Sequence, residues 1–289
     1  MNKYIELVNE KLNEYMPIIY PEKIFKSMKY TVTLPGKRLR PVMCLEACKI
    51  MGGKIEDAMP TACAIEMLHA QSLIHDDLPC MDDDSFRRGK PSNHMVFGEA
   101  IAVLAGDALL SFAPQLIIEK SKLSSDIILK VLHEFVSSAG AYQLIGGQVV
   151  DILSEEGRCK LYDSDEETLK YIHTNKTAVL FKLALKTGAI IAGASEEQIK
   201  EMEDFGQKFG LAFQIYDDIM DEISSFEELG KTIGKDKDAG KLTYVTLYGL
   251  DKAKEKVHEL ISDSHSIIDK YNSEIFESIL DKILEKINK

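Results

Sequence analysis

What this sequence has little of narrows its function first. Basic residues are short, with 35 Lys and Arg against 47 Asp and Glu, a formal net charge of −12. A nucleic-acid binder grips phosphates through clustered cations, so the deficit argues against nucleic acid and disfavours anionic membranes. Long apolar runs are missing too. Ala100 to Gly106 is cut short by Asp107, well under the ~20 residues of a bilayer span. Glu6, Glu10 and Glu14 interrupt the N-terminal apolar residues and leave no signal-peptide core. The expectation is a soluble, cytoplasmic chain without stable membrane insertion. The five cysteines (Cys44, Cys48, Cys63, Cys80, Cys159) are odd in number and contain no Cys-x-x-Cys pair, which suits structural thiols in a reducing compartment. Cys44 and Cys48, one helical turn apart, read as small buried residues rather than metal ligands. Strand signals are scarce: TVTLPG at 31–36 alternates only briefly before Pro-Gly, and no solenoid-period repeat occurs.

What is present is helical periodicity. Phe205, Phe209, Ala212, Tyr216, Ile219 and Ile223 recur at alternating spacings of four and three, as do Cys63, Met67, Ala70 and Ile74 after Pro60. Further helical stretches are expected at about 4–16, 40–51, 99–119, 126–152, 168–193 and 251–286. The polar, glycine-bearing segments 154–167 and 224–241 read as loops rather than interdomain linkers. With 289 residues, 45% of them hydrophobic, the chain reads as one all-α domain spanning 1–289, at the upper size of a single core.

Two aspartate clusters carry the chemistry. Helix 60–77 runs into HDDLPCMDDD, placing Asp76 and Asp77 at its C-terminal end with Asp82 one turn on. Carboxylates there oppose the helix dipole and repel one another, an arrangement that calls for a compensating cation. The second cluster, Asp217, Asp218 and Asp221, lies within a helix, where Asp217 and Asp221 share a face with Gln214. Oxygen ligands without His or Cys suit Mg²⁺, which takes one or two carboxylates and completes its shell with substrate phosphate. An EF-hand is excluded, since neither cluster has the loop glycine or the closing Glu. Arg87-Arg88-Gly89-Lys90 stands beside the first cluster, and Gly36-Lys37-Arg38-Leu39-Arg40-Pro41 precedes it. Arginine forks bind phosphate oxygens bidentately, so the two basic clusters make a diphosphate pocket that needs no metal. His69 lies on the same face as Asp76, seven residues earlier.

The segments GKRLRP, HAQSLIHDDLPCMDDDSFRRGKPSNH, GGQVVD, KTAVLFKLALKTGA and GLAFQIYDDIMD, in this order, resemble the trans-prenyltransferases that make short-chain isoprenyl diphosphates, specifically the bacterial type of farnesyl diphosphate synthase. The resemblance implies the isoprenoid synthase fold, a single large helical bundle around a central cavity, usually homodimeric. It implies Mg²⁺-dependent condensation of isopentenyl diphosphate with dimethylallyl or geranyl diphosphate through an allylic carbocation. Matched by position, Asp76, Asp77, Asp82, Asp217, Asp218 and Asp221 hold the metal. Lys37, Arg40, His69 and Arg88 bind isopentenyl diphosphate. Arg87, Lys176, Thr177, Gln214, Lys231 and Lys241 surround the allylic diphosphate, and Gln148 and Asp151 face the cavity.

Product length in this family depends on the side chains four and five residues before the first aspartate, here Ser72 and Gln71. Bacterial farnesyl synthases commonly place an aromatic at the latter position. A C15 farnesyl product is expected, with the C20 geranylgeranyl product as the alternative. A terpene cyclase would have no use for the second basic pocket. A catalytically silent subunit or a helical metal-binding protein is disfavoured because both aspartate motifs are complete.

Overall fold

The computed structural model describes residues 1–155, 164–223 and 241–288. Helices account for nearly all of it: α1 (Asn2–Tyr15), α2 (Glu22–Thr33), α3 (Leu39–Ile50), α4 (Ile55–Asp76), α5 (Asn93–Phe97), α6 (Glu99–Lys120), α7 (Ser125–Ala139), α8 (Leu144–Glu155), α9 (Asp165–Ile172), α10 (Val179–Ala192), α11 (Glu196–Ile223), α12 (Tyr244–Tyr248), α13 (Leu250–Ile268) and α14 (Glu274–Ile287). The two short strands described, β1 (Phe86–Arg87) and β2 (Lys90–Pro91), form an antiparallel hairpin. The all-α expectation holds.

The boundaries differ where local chemistry overrides periodicity. The alternating 31–36 stretch is the end of α2, because Met28, Thr31 and Val32 are buried there. The helix stops where Leu34 turns extended ahead of Pro35, the conformation a proline imposes on its predecessor. The 126–152 stretch divides at Gly140, which caps α7. The 251–286 stretch divides where Asn272 takes a left-handed conformation, and Ser273 then accepts a hydrogen bond from the Phe276 N–H to start α14. Between α9 and α10 a π-helical turn, His173–Ala178, carries Lys176 and Thr177. Such insertions concentrate at functional sites, because they re-aim side chains within a continuing helix.

Helix α10 packs between α3 and α11, and α4 packs between α3 and α6. The α11 stripe is buried from Phe205 to Ile219, whereas Ile223 is exposed. Phe181 meets Phe209 edge-on at 4.9 Å between ring centroids, and Phe205 meets Phe276 at 5.1 Å. Such aromatic pairs fix the packing angle of neighbouring helices as well as burying area. Cys44, Cys48 and Cys63 are buried free thiols within this core, and burial pushes Cys44 up to about 12, as structural thiols should behave. Cys159 lies outside the described residues. Helix α6 is long and apolar enough to cross a membrane by length and composition, despite Asp107 at its centre. Here it packs one side on α4 and leaves Val103, Leu104 and Ile118 exposed.

Candidate active site

One cavity of about 1250 Å³ gathers residues from both aspartate motifs and both basic clusters, among them Lys37, Arg40, Asp76, Arg88, Lys176 and Asp217. The first motif forms as the dipole argument anticipates. Helix α4 ends at Asp76 with Asp77 as its C-cap, and the chain folds back so that the Asp82 N–H donates to the Asp76 carbonyl at 2.9 Å. Burial pushes the Asp76 carboxyl up to about 6, with repulsion from Asp82 and Asp77 adding to it while Lys176 and Arg87 oppose it. This is a carboxylate that lacks enough positive charge. Asp77, buried behind it, accepts two hydrogen bonds from Arg87, whose guanidinium also reaches Asp84 at 3.3 Å.

The second motif divides in the same way. Asp217 lines the cavity from α11 together with Gln214. Asp218 and Asp221 are buried and lie outside the cavity lining. Asp218 accepts from the Gln214 amide at 2.9 Å and from the Tyr244 N–H at 2.9 Å, and stands 3.5 Å from His173. Burial pushes His173 down to about 4, only partly opposed by Asp151, so it is neutral at pH 7. The Thr177 hydroxyl donates to the Gln214 amide oxygen. A continuous chain from Thr177 through Gln214 to Asp218 thus orients the cavity-facing groups. The six aspartates grouped together in the sequence therefore occupy different environments. Asp76 and Asp217 face the cavity, Asp82 is half-buried in the fold-back turn, and Asp77, Asp218 and Asp221 are buried outside the cavity lining.

The basic residues also separate by direction. In the β1–β2 hairpin, Arg88 and Gly89 both have positive φ (53° and 72°), the pattern of a type I′ turn. Arg87 in the strand is thereby aimed at Asp77, while Arg88 is turned to the opposite cluster. There its guanidinium lies 3.4 Å from His69 Nε2 and 3.8 Å from Glu66. Gly36 permits this approach, since a Cβ there would stand 2.7 Å from the Arg88 guanidinium. Arg40 lies over the Phe181 ring at 4.3 Å, a cation–π contact. Its Nε is buried without a partner. Burial lowers its pKa to about 10, so it stays charged at neutral pH. His69 is held well below its usual range by burial, with Arg40, Arg88, Arg87 and Arg38 adding to the effect. It is a neutral imidazole among four cations.

On the facing wall Lys176 is paired with the buried Asp151, which Lys241 approaches at 3.8 Å. Gln148, one turn earlier on α8, lines the cavity with both amide atoms buried and unpartnered. Lys231 lies outside the described residues. Three contributors escaped sequence reasoning. Arg38 and Glu66 form a buried ion pair at 2.5 Å beneath the basic cluster. A lone Glu in the apolar run TACAIEMLHA was the available signal, because a buried carboxylate requires a partner. Lys286 reaches the cavity from α14 near Lys37, whose charge it disfavours, and no motif marks it.

Oxygen-only ligands from both motifs fit Mg²⁺. Among the described residues no three His, Cys, Asp or Glu side chains converge tightly enough to hold an ion alone. That fits a metal whose coordination is completed by substrate phosphate.

Residues 21–283 match the polyprenyl synthetase family. The chain belongs to this family. It is 45% identical over 273 residues to geranylgeranyl pyrophosphate synthase 7 of Arabidopsis thaliana, covering 94% of this chain and 78% of the relative. It is 47% identical over 269 residues to the large subunit 2 of a heterodimeric geranylgeranyl pyrophosphate synthase from the same plant, covering 93% and 71%. The solved geranyltransferase of Helicobacter pylori, complexed with magnesium and isoprenyl diphosphate, superposes with a TM-score of 0.85 at 30% identity, covering 99% of this chain and 95% of the other. The isoprenoid synthase fold is therefore shared. The polyprenyl synthetase condenses isopentenyl diphosphate with an allylic diphosphate, both isoprenyl diphosphates.

Proposed function

We propose that this polyprenyl synthetase extends its allylic primer to the C20 geranylgeranyl diphosphate rather than stopping at farnesyl diphosphate. The observation that carries the length is the wall below Asp76. Among the described residues α4 and α6 line the cavity there with Gln71, Ser72, Leu73, His75, Asp107 and Leu110, and with no Phe, Tyr or Trp. The geranylgeranyl synthases among its relatives favour the same length. The C15 expectation, drawn from the bacterial resemblance, gives way to it.

The residue roles follow from the geometry. The allylic C–O bond breaks with its electron pair leaving on the diphosphate. Lys176 and Arg87 share the charge that develops, already charged and already oriented. Asp76, Asp82 and Asp217 would hold Mg²⁺, which supplies Lewis-acid neutralisation of the leaving group when bound. Asp77, Asp218 and Asp221 support that set from behind. Because the Thr177 hydrogen is committed to Gln214, the hydroxyl oxygen keeps its lone pairs for the carbocation. Lys37, Arg40, Arg88 and the neutral His69 hold isopentenyl diphosphate, which has no bond to ionise and needs no metal. Its double bond attacks the cation, and the proton it then sheds is taken by the released diphosphate. The exposed Val103, Leu104 and Ile118 on α6, with Leu129 and Val136 on α7, suit burial against a second copy of the chain.

Chromatography of products from labelled isopentenyl diphosphate with C5, C10 and C15 primers tests this reading. C20 should dominate from every primer. Accumulation of C15, with no extension of a farnesyl primer, would return the assignment to farnesyl synthesis.

A further inference from the structure

Beneath the aspartates, a set of side-chain contacts links α4 to α6. Gln71 and His75 are one turn apart on α4, and the Gln71 amide nitrogen lies 3.1 Å from His75 Nδ1. His75 Nε2 lies 3.1 Å from the Val103 carbonyl of α6. A carbonyl only accepts, so Nε2 carries the proton and donates it. In the neutral ring Nδ1 is then a lone pair, and the Gln71 NH₂ donates to it. In that form one backbone group sets the direction of both bonds. Gly106 makes the crossing possible: a Cβ there would stand 2.0 Å from His75 Nε2. Both Gln71 and His75 line the cavity, and Gln71 is almost wholly buried.

We propose that His75 is a positioning residue for product length. It ties the Gln71 amide along the α4 wall and so keeps that side chain from crossing the path of the growing hydrocarbon. Gln71 is long enough to narrow the cavity if released, and an untied amide would seek other partners across it. This inference rests on the C20 reading, and it assigns the open floor to a contact rather than to the mere absence of a Phe, Tyr or Trp. Gly106 contributes by admitting the imidazole against α6.

The test reads the C15 to C20 product ratio from a geranyl primer in folded variants of the full chain. His75→Leu removes both bonds and should raise the ratio about fivefold, the factor that losing one neutral hydrogen bond carries. His75→Asn places an amide oxygen where Nδ1 stood and should keep the ratio within twofold of the parent. His75→Gln keeps a donor for α6 but no acceptor at the Nδ1 position, and should behave like His75→Leu. In a Gln71→Leu background, His75→Leu should change the ratio no further. An unaltered ratio in both His75→Leu and His75→Gln, or an equal shift with and without Gln71, overturns the proposal. A parent enzyme that releases mainly C15 overturns the C20 reading alone, because the dependence of the shift on Gln71 still decides the role of His75.

Discussion

The two aspartate motifs look alike in sequence and reach the cavity by different means. In each, the leading aspartate faces the cavity and the next turns back into the protein. Asp77 is anchored by a permanent charge, the Arg87 guanidinium. Asp218 accepts from two neutral donors, the Gln214 amide and the Tyr244 N–H, and lies 3.5 Å from the uncharged His173. The first motif stands at a helix end, where the dipole already disfavours anions, and an ion pair holds it. The second lies inside a helix, and neutral hydrogen bonds are part of what holds it. A pair of adjacent aspartates is therefore one ligand and one anchor, and the anchor suits its local backbone.

The largest effect should come from the leading residues. Asp76→Ala and Asp217→Ala should each lower kcat/KM by at least about 10³, roughly 4 kcal/mol of transition-state stabilisation. Asp76→Ala should not lower the melting temperature, because it removes a buried carboxylate repelled by Asp82 and Asp77. Steady-state kinetics and a thermal melt read by circular dichroism check this. Near-normal turnover in one variant would show that the motifs do not act together on the substrate.

The anchors should fail unequally, and in stability first. Asp77→Asn strands the Arg87 charge in a mostly buried site and should cost about 3 kcal/mol, the low end for breaking a buried pair, since Arg87 is partly exposed and Asp84 remains nearby. Asp218→Asn keeps an acceptor for the Tyr244 N–H and should cost about 1 kcal/mol. Urea unfolding at pH 7 measures both. Equal losses would break the distinction between a charged and a neutral anchor.

Which parts were legible in the sequence follows the same physics. Phe205, Phe209, Ala212, Tyr216 and Ile219 declared α11 because burial imposes one period on one face. The grouping of Arg87 with Asp77 and of Arg88 with His69 was not legible, because it depends on two left-handed residues in a hairpin turn. The separation of Asp217 from Asp218 was equally hidden, since neighbours on a helix differ only in direction. The π turn that carries Lys176 and Thr177 leaves no periodic signal, for it shifts the phase by a single residue. Gln71 was found by its position relative to Asp76, whereas its tie to His75 depends on a gap at Gly106 that only the packing of α6 reveals.

The smallest expected effect sharpens the comparison by pH. His173 sits beside Asp218 with its folded pKa near 4, below the ordinary value of about 6.5. The unfolded chain therefore binds a proton that the folded chain refuses, and this contribution to stability is complete above pH 6.5 and lost as the pH falls towards 4. Linkage gives a loss of somewhat under ~2 kcal/mol between pH 7 and pH 5. The Arg87 anchor of the first motif keeps its charge throughout that window and adds no such slope. Replacing His173 by Gln should flatten the difference in unfolding free energy between pH 7 and pH 5 by about that amount, with all other titrations cancelling between the two proteins. An unchanged slope would mean that His173 titrates alike in the folded and unfolded chains, and a change of opposite sign would mean that it is charged in the folded protein beside Asp218.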